Sequence, residues 1–208
     1  MYNPTINKIT DLQEINRFIR KYSFGLIINT RHNTPLATHL PFHSRTENGN
    51  LVIYGHFAKA NKQWQSLESG KTLIIFSEPH AYVSPSHYDH EQNVPTWNYC
   101  SVQCYGNAKI IEDESKCLEL MRDLIEANDL PYLSNWDTKI GDDYKSKMLK
   151  GIVMFRIDVE DIQAKYKLSQ NRSINEQQRV SEYLVQHSDS NARVIGEMMS
   201  KNLEMSQS

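Results

Sequence analysis

The sequence predicts a mainly antiparallel β-sheet that curls toward a barrel, with flanking helices and a polar helical tail. Three observations carry this. Short β-rich runs follow one another through residues 24–57, separated by turn residues. Apolar runs at 72–76 and 152–157 have the length and β-branched content of buried strands. From Ser169 onward the chain turns polar with sparse apolar anchors, as surface helices do.

Each element has a local reason. Thr10-Asp11-Leu12-Gln13 has the form of a capping box, and Leu12, Ile15, Phe18 and Ile19 then recur at helical spacing, so a helix is expected over 11–21. Strands are expected at 24–30, 36–42 and 51–57, the last preceded by a hairpin turn at Asn48-Gly49, a pair suited to positive φ. A short helix is expected over 60–69, stopped at Gly70, followed by the strand at 72–76. Residues 79–95 are rich in Pro, His, Tyr and Ser and read as one long loop. Strands are expected at 96–105 and 107–111, broken around Gly106, then a helix over 114–128 with Asp113 as its N-cap. Residues 130–141 read as loop, 142–149 as a short helix, 152–157 as a strand and 164–168 as a short extended piece. Two tail helices are expected, from Ser173 to about Val185 and over 189–203. The domain reading is a barrel over 1–168 and a helical extension over 169–208.

With 39% hydrophobic and 23% charged residues in 208, a packed core is expected rather than disorder. A net charge of -2 gives no general field for nucleic acid. No stretch approaches the roughly 20 apolar residues of a membrane span. The start, Met1-Tyr2-Asn3-Pro4, has no charged and apolar leader pattern. Three cysteines, an odd number, fit a reduced cytoplasmic compartment, and Cys100 and Cys104 are too far apart on a strand for an unstrained disulfide.

The most informative segment is the strand-to-helix junction at 54–64. Lys59 and Lys62 sit where the next helix leaves backbone N–H groups unpaired, an arrangement that suits a phosphate, and Trp64 follows within a turn. The plainer reading is a solvated helix start. His39 and His56 lie on neighbouring strands and suit a pocket lining or two half-buried core positions; neither has a partner at metal-ligand spacing. Ser86-His87-Tyr88-Asp89-His90 contains donors but not the helical i,i+4 pattern of a metal site, so no metal is expected. Tyr82, Tyr88, Trp97 and Tyr99 suit either stacking on a flat ring or ordinary packing. Lys167 and Arg172 suit a second cationic contact, and Gln170 and Asn171 suit bonds to carbonyls and ring nitrogens. No residue stands out as a catalytic acid, base or nucleophile.

Six stretches, in order, resemble the PaiB-like family of flavin-mononucleotide-binding split-barrel proteins. They are Ser23-Phe24-Gly25, Ala37-Thr38-His39-Leu40-Pro41-Phe42, Gly55-His56-Phe57-Ala58 with Asn61-Lys62-Gln63-Trp64, Pro79-His80-Ala81-Tyr82-Val83-Ser84, Val94-Pro95-Thr96-Trp97-Asn98-Tyr99 and Lys167-Leu168-Ser169-Gln170-Asn171. The resemblance implies a six-stranded antiparallel split β-barrel and a homodimer with flavin mononucleotide (FMN) at the subunit interface. It puts the phosphate at Ala60-Asn61-Lys62 and the ring edge along Thr38, His39, Leu40 and Pro41, with His56, Trp64, Ser101, Lys167, Gln170 and Asn171 completing the site. This chain has Asn61 where the related oxidases place an arginine, so a weaker hold on flavin is expected. The resemblance further implies a flavin-dependent or flavin-sensing transcriptional repressor. The alternatives are an FMN-dependent oxidoreductase of the pyridoxamine-phosphate-oxidase-like group and a haem-binding protein. Direct DNA binding finds no support in the scattered basic residues of the tail.

Overall fold

A computed structural model describes residues 1–90 and 92–207; Glu91, in the expected loop, and Ser208, in the expected tail, lie outside the described residues. In chain order the elements are β1 (Lys8–Ile9), α1 (Leu12–Lys21), β2 (Phe24–Arg31), β3 (Thr34–Pro41), β4 (His43–Glu47), β5 (Asn50–Ala58), a 3-10 helix (Lys62–Ser69), β6 (Lys71–Phe76) and β7 (His80–Val83). They continue with β8 (Thr96–Ile111), α2 (Glu114–Asn128), α3 (Leu130–Thr138), α4 (Asp142–Leu149), β9 (Ile152–Lys167), α5 (Ile174–Val185) and α6 (Ser190–Gln207).

The strands run in the order β3-β2-β6-β8-β9-β5-β4, with β1 on β9 and β7 on β8. The β3 and β4 ends of that path do not pair with each other, so the sheet stays split. The fold class agrees with expectation; among the described residues the sheet holds nine strands rather than six because β1, β4 and β7 are short additions on its flanks. The β4–β5 hairpin closes through Asn48 (φ 51) and Gly49 (φ 82), the backbone that a two-residue turn demands.

Four expected boundaries are corrected. Residues 96–111 form one strand, because Gly106 serves close packing rather than a turn: a Cβ there would lie 2.2 Å from the Asp158 carbonyl oxygen. Residues 152–167 are likewise continuous, since the acidic run is held by cations, Lys109 on Asp158 at 3.3 Å and Lys71 on Glu160. The expected loop at 130–141 contains α3, whose Pro131 occupies the first turn, where no N–H is needed. The expected loop at 79–95 contains β7, paired with the start of β8 from His80↔Tyr99 to Val83↔Thr96.

The chain divides into two compact units. The larger comprises 12–76 and 103–162. Its centre is aromatic: Phe155 packs on Phe57 at 5.2 Å between ring centroids, and Phe42 lies edge-on to Phe76 at 5.6 Å. α2, capped by the Asp113 carboxylate accepting from Lys116 N, buries Cys117 and Leu120 against Val52, Tyr54 and Met154. The smaller unit comprises 1–11, 77–102 and 163–208. There Ser173 and Glu176 form a reciprocal capping box at the start of α5. α6 packs on α5, with the Ser181 hydroxyl donating to Gly196 O at 2.9 Å. Cys100, Cys104 and Cys117 are all buried free thiols, and burial together with Asp161 pushes the Cys104 thiol up to about 12.

Candidate functional site

The junction after β5 is built by a short polar chain. Lys59 N donates to Gly151 O at 2.8 Å and Asn61 N to Ala58 O at 2.9 Å, which turns the backbone tightly out of the strand. Asn61 then caps the 3-10 helix, its Oδ1 accepting from Gln63 N at 3.0 Å. The other end of the same amide donates to Thr38 Oγ1 on β3, also at 3.0 Å. Thr38 Oγ1 donates to Gln63 Oε1 at 2.6 Å. Gln63 Nε2 shares its two N–H donors among Asn29 Oδ1 (2.9 Å), Leu36 O (3.1 Å) and Ile27 O (3.2 Å). One buried glutamine thus locks the junction to β2 and β3. Sequence reading singles out its neighbours Asn61, Lys62 and Trp64 but not Gln63, because one polar residue in a polar turn carries no periodic signal.

Around this lock the charges stay available. Lys59, Ala60 and Lys62 are exposed, and among the described residues neither lysine forms an ion pair. β3 ends the strand path, so alternate backbone donors and acceptors face away from β2. Along it Ala37 and His39 are exposed, Thr38 and Pro41 half-buried and Leu40 buried. The His39 ring stacks on exposed Phe24 at 5.8 Å and 21°. The structure therefore brings Thr38 and Asn61 together and leaves His39 on the open face.

His56 lies elsewhere in this unit, half-buried on β5 opposite Met154, where it shares a small crevice with Pro41, His43 and Leu120. Burial lowers its pKa, and burial with Arg45 and Arg20 lowers that of His43. Both groups fold in preference as neutral imidazoles, so their contribution is complete above the unfolded value of 6.5 and is lost as pH falls through 6.5 toward the folded values. Tm is expected to drop between about pH 7.5 and pH 5. His43→Asn with His56→Gln should flatten that slope; an unchanged slope in the double variant would exclude this cause.

The remaining candidates lie in the smaller unit. Ser101 is buried within β8. Lys167 Nζ, at the end of β9, donates to Thr96 Oγ1 at 2.6 Å and Trp97 O at 2.5 Å. Burial, Lys165 and Arg172 lower its pKa. Gln170 holds its own turn: Oε1 accepts from Leu168 N at 2.7 Å and Nε2 donates to Tyr166 O at 2.6 Å, around Ser169 at φ 65. Asn171 is exposed. Next to it, the Arg172 guanidinium lies 3.8 Å from the Tyr88 ring centroid and donates to Asn93 Oδ1 at 2.9 Å.

An antiparallel sheet whose end strands stay unpaired, flanked by helices, has the architecture of a split-barrel protein. The chain belongs to the family described as "Putative FMN-binding domain", whose model matches residues 1–161, and FMN is its cofactor. It is 42% identical over 208 residues, 98% of this chain and 99% of the other, to "Protease synthase and sporulation protein PAI 2" of Bacillus subtilis. Two solved structures share the fold at low identity. The FAD and heme binding protein from Mycobacterium smegmatis superposes with a TM-score of 0.61 at 11% identity, over 77% of this chain and 73% of that one. The flavocytochrome Anf3 from Azotobacter vinelandii gives 0.58 at 16% identity, over 75% and 67%. No helix among the described residues is long and apolar enough to cross a membrane.

The residues present fit a flavin nucleotide. Unpaired Lys62 at a capped helix start suits the phosphate, and the outward backbone groups of β3 suit a ring edge that both donates and accepts hydrogen bonds.

Proposed function

We propose that the protein is a flavin-sensing transcriptional regulator that works in the cytoplasm as a homodimer, with FMN at the subunit interface. The phosphate sits on Ala60-Asn61-Lys62 and the ring edge lies along Thr38–Pro41, both in the larger unit. The observation that supports this placement best is the Asn61–Thr38–Gln63 chain, which holds the expected phosphate end and the expected ring edge in fixed relation. The regulatory role rests on the relatedness to the PAI 2 protein, named for protease synthesis and sporulation. When bound, FMN supplies reversible one- and two-electron redox chemistry. The chain's own contribution is to bind and orient: Lys62 as counter-charge, Asn61 and Gln63 as the brace, and β3 as the rail for the ring.

Titration of purified protein with FMN, followed by flavin fluorescence, tests the placement. Lys62→Ala is expected to weaken binding by about 1.5–3 kcal/mol, the value of a charged hydrogen bond, which is about tenfold to 150-fold in Kd. Unchanged affinity would remove the phosphate from this junction. A gel shift on the DNA upstream of the chain's own gene, across a salt series, tests direct contact, because phosphate contacts give a steep salt slope. Absence of a shift at low salt would place regulation in a protein partner.

A further inference from the structure

The junction has two sides. Asn61 and Gln63 face β2 and β3, whereas Lys59 and Trp64 line a separate pocket of about 320 Å³ on the other side, within the larger unit. Its remaining walls come from the end of β8, the start of α2, the end of α4 and the start of β9. That volume lies at the lower end of the roughly 300–1,000 Å³ typical of small-molecule sites.

The lining is sorted by polarity. The floor is apolar: Ile111, Leu149 and Ile152 are half-buried and rest on the cluster around Cys117, Leu120 and Met154. The rim carries four exposed charges of both signs, Lys59 and Lys150 against Glu112 and Glu114. Among the described residues none of the four is engaged in an ion pair, although Arg45, Lys71, Lys109, Lys116 and Arg122 of the same unit all are. Two uncommitted cations and two uncommitted carboxylates around one apolar floor are complementary to a ligand that carries both charges and an apolar body. A fatty acid would leave the glutamates facing its carboxylate, and an alkylamine would leave the lysines facing its ammonium; each like-charge juxtaposition is unfavourable. Burial, with Asp113 and Glu114, raises the pKa of the Cys117 thiol beside the floor.

We propose that this pocket binds a small apolar α-amino acid, with its carboxylate toward Lys59 and Lys150, its ammonium toward Glu112 and Glu114, and its side chain on Ile111, Leu149 and Ile152. The site is separate from the flavin placement and does not depend on it.

Calorimetric titration of the full chain with L-leucine and L-phenylalanine, without and with FMN, tests the proposal. Saturable binding is expected in both states. The analogues 4-methylpentanoate, which lacks the amine, and 3-methylbutylamine, which lacks the carboxylate, should bind at least about tenfold more weakly than L-leucine, as lost charged contacts require. Lys150→Gln and Glu112→Gln, both at exposed positions, should each weaken binding several-fold, and Ile111→Trp should abolish it by filling the floor, with circular dichroism showing the fold retained. No heat at about 10 mM amino acid, which sets Kd above that range, would overturn the proposal. So would an analogue with one charge that binds as tightly as L-leucine, or binding that survives all three substitutions.

Discussion

Gly106→Val is expected to destabilise the protein by about 3 kcal/mol or more, at the upper end of overpacking costs. The residue sits inside β8 with its Cα against β9, where a Cβ would lie 2.2 Å from Asp158 O and 2.8 Å from the Ile157 side chain. The obstacle is a strand backbone rather than the end of a flexible chain, so relief requires β8 and β9 to move apart. Both are 16-residue strands at the middle of the sheet, and their separation loosens every ladder beyond them. Urea unfolding would show the loss as a lower midpoint; a midpoint within error of the parent would mean that the close approach is not a constraint.

Gln63→Leu should cost about 2–3 kcal/mol by the same measurement, and should also weaken FMN binding. Leucine keeps the bulk but removes four hydrogen bonds. Thr38 then loses its acceptor, and Leu36 O loses a donor, as do Asn29 Oδ1 and Ile27 O in buried places. A buried polar group left without a partner costs about 1–3 kcal/mol, so even partial relaxation leaves a net deficit. Asn61 would also lose the fixed Thr38 hydroxyl to which it donates, and the helix start bearing Lys62 would no longer be held against β3. A variant that unfolds as the parent does would show that the glutamine is not the brace described here.

Much of the fold was legible because its signals are local. The Asn48-Gly49 pair and the Asp113 cap each work within a few residues, and each was readable in its place. What escaped reading was non-local. Gly106 looks like a break until Asp158 lies against it, and the acidic run in β9 looks like a loop until Lys71 and Lys109 neutralise it. β7 hides among prolines and serines because its strand character comes from pairing with β8.

The junction shows the same division. Its charge and aromatic content were visible along the chain, but its two-sidedness was not. Residues of one short turn face different elements, and only tertiary structure reveals that Asn61 and Gln63 address β2 and β3 while Lys59 and Trp64 address β8, α2 and β9.

The burial of the thiols has a practical consequence. Cys100 and Cys104 are 0% exposed and Cys117, at the pocket, 8%, so the folded chain offers little to a maleimide or iodoacetamide reagent. A single cysteine introduced at an exposed position beside the junction, as in Gln65→Cys, would then be the main labelled atom in the molecule. A fluorophore or spin label there would report on cofactor and amino-acid binding without any native thiol having to be removed first.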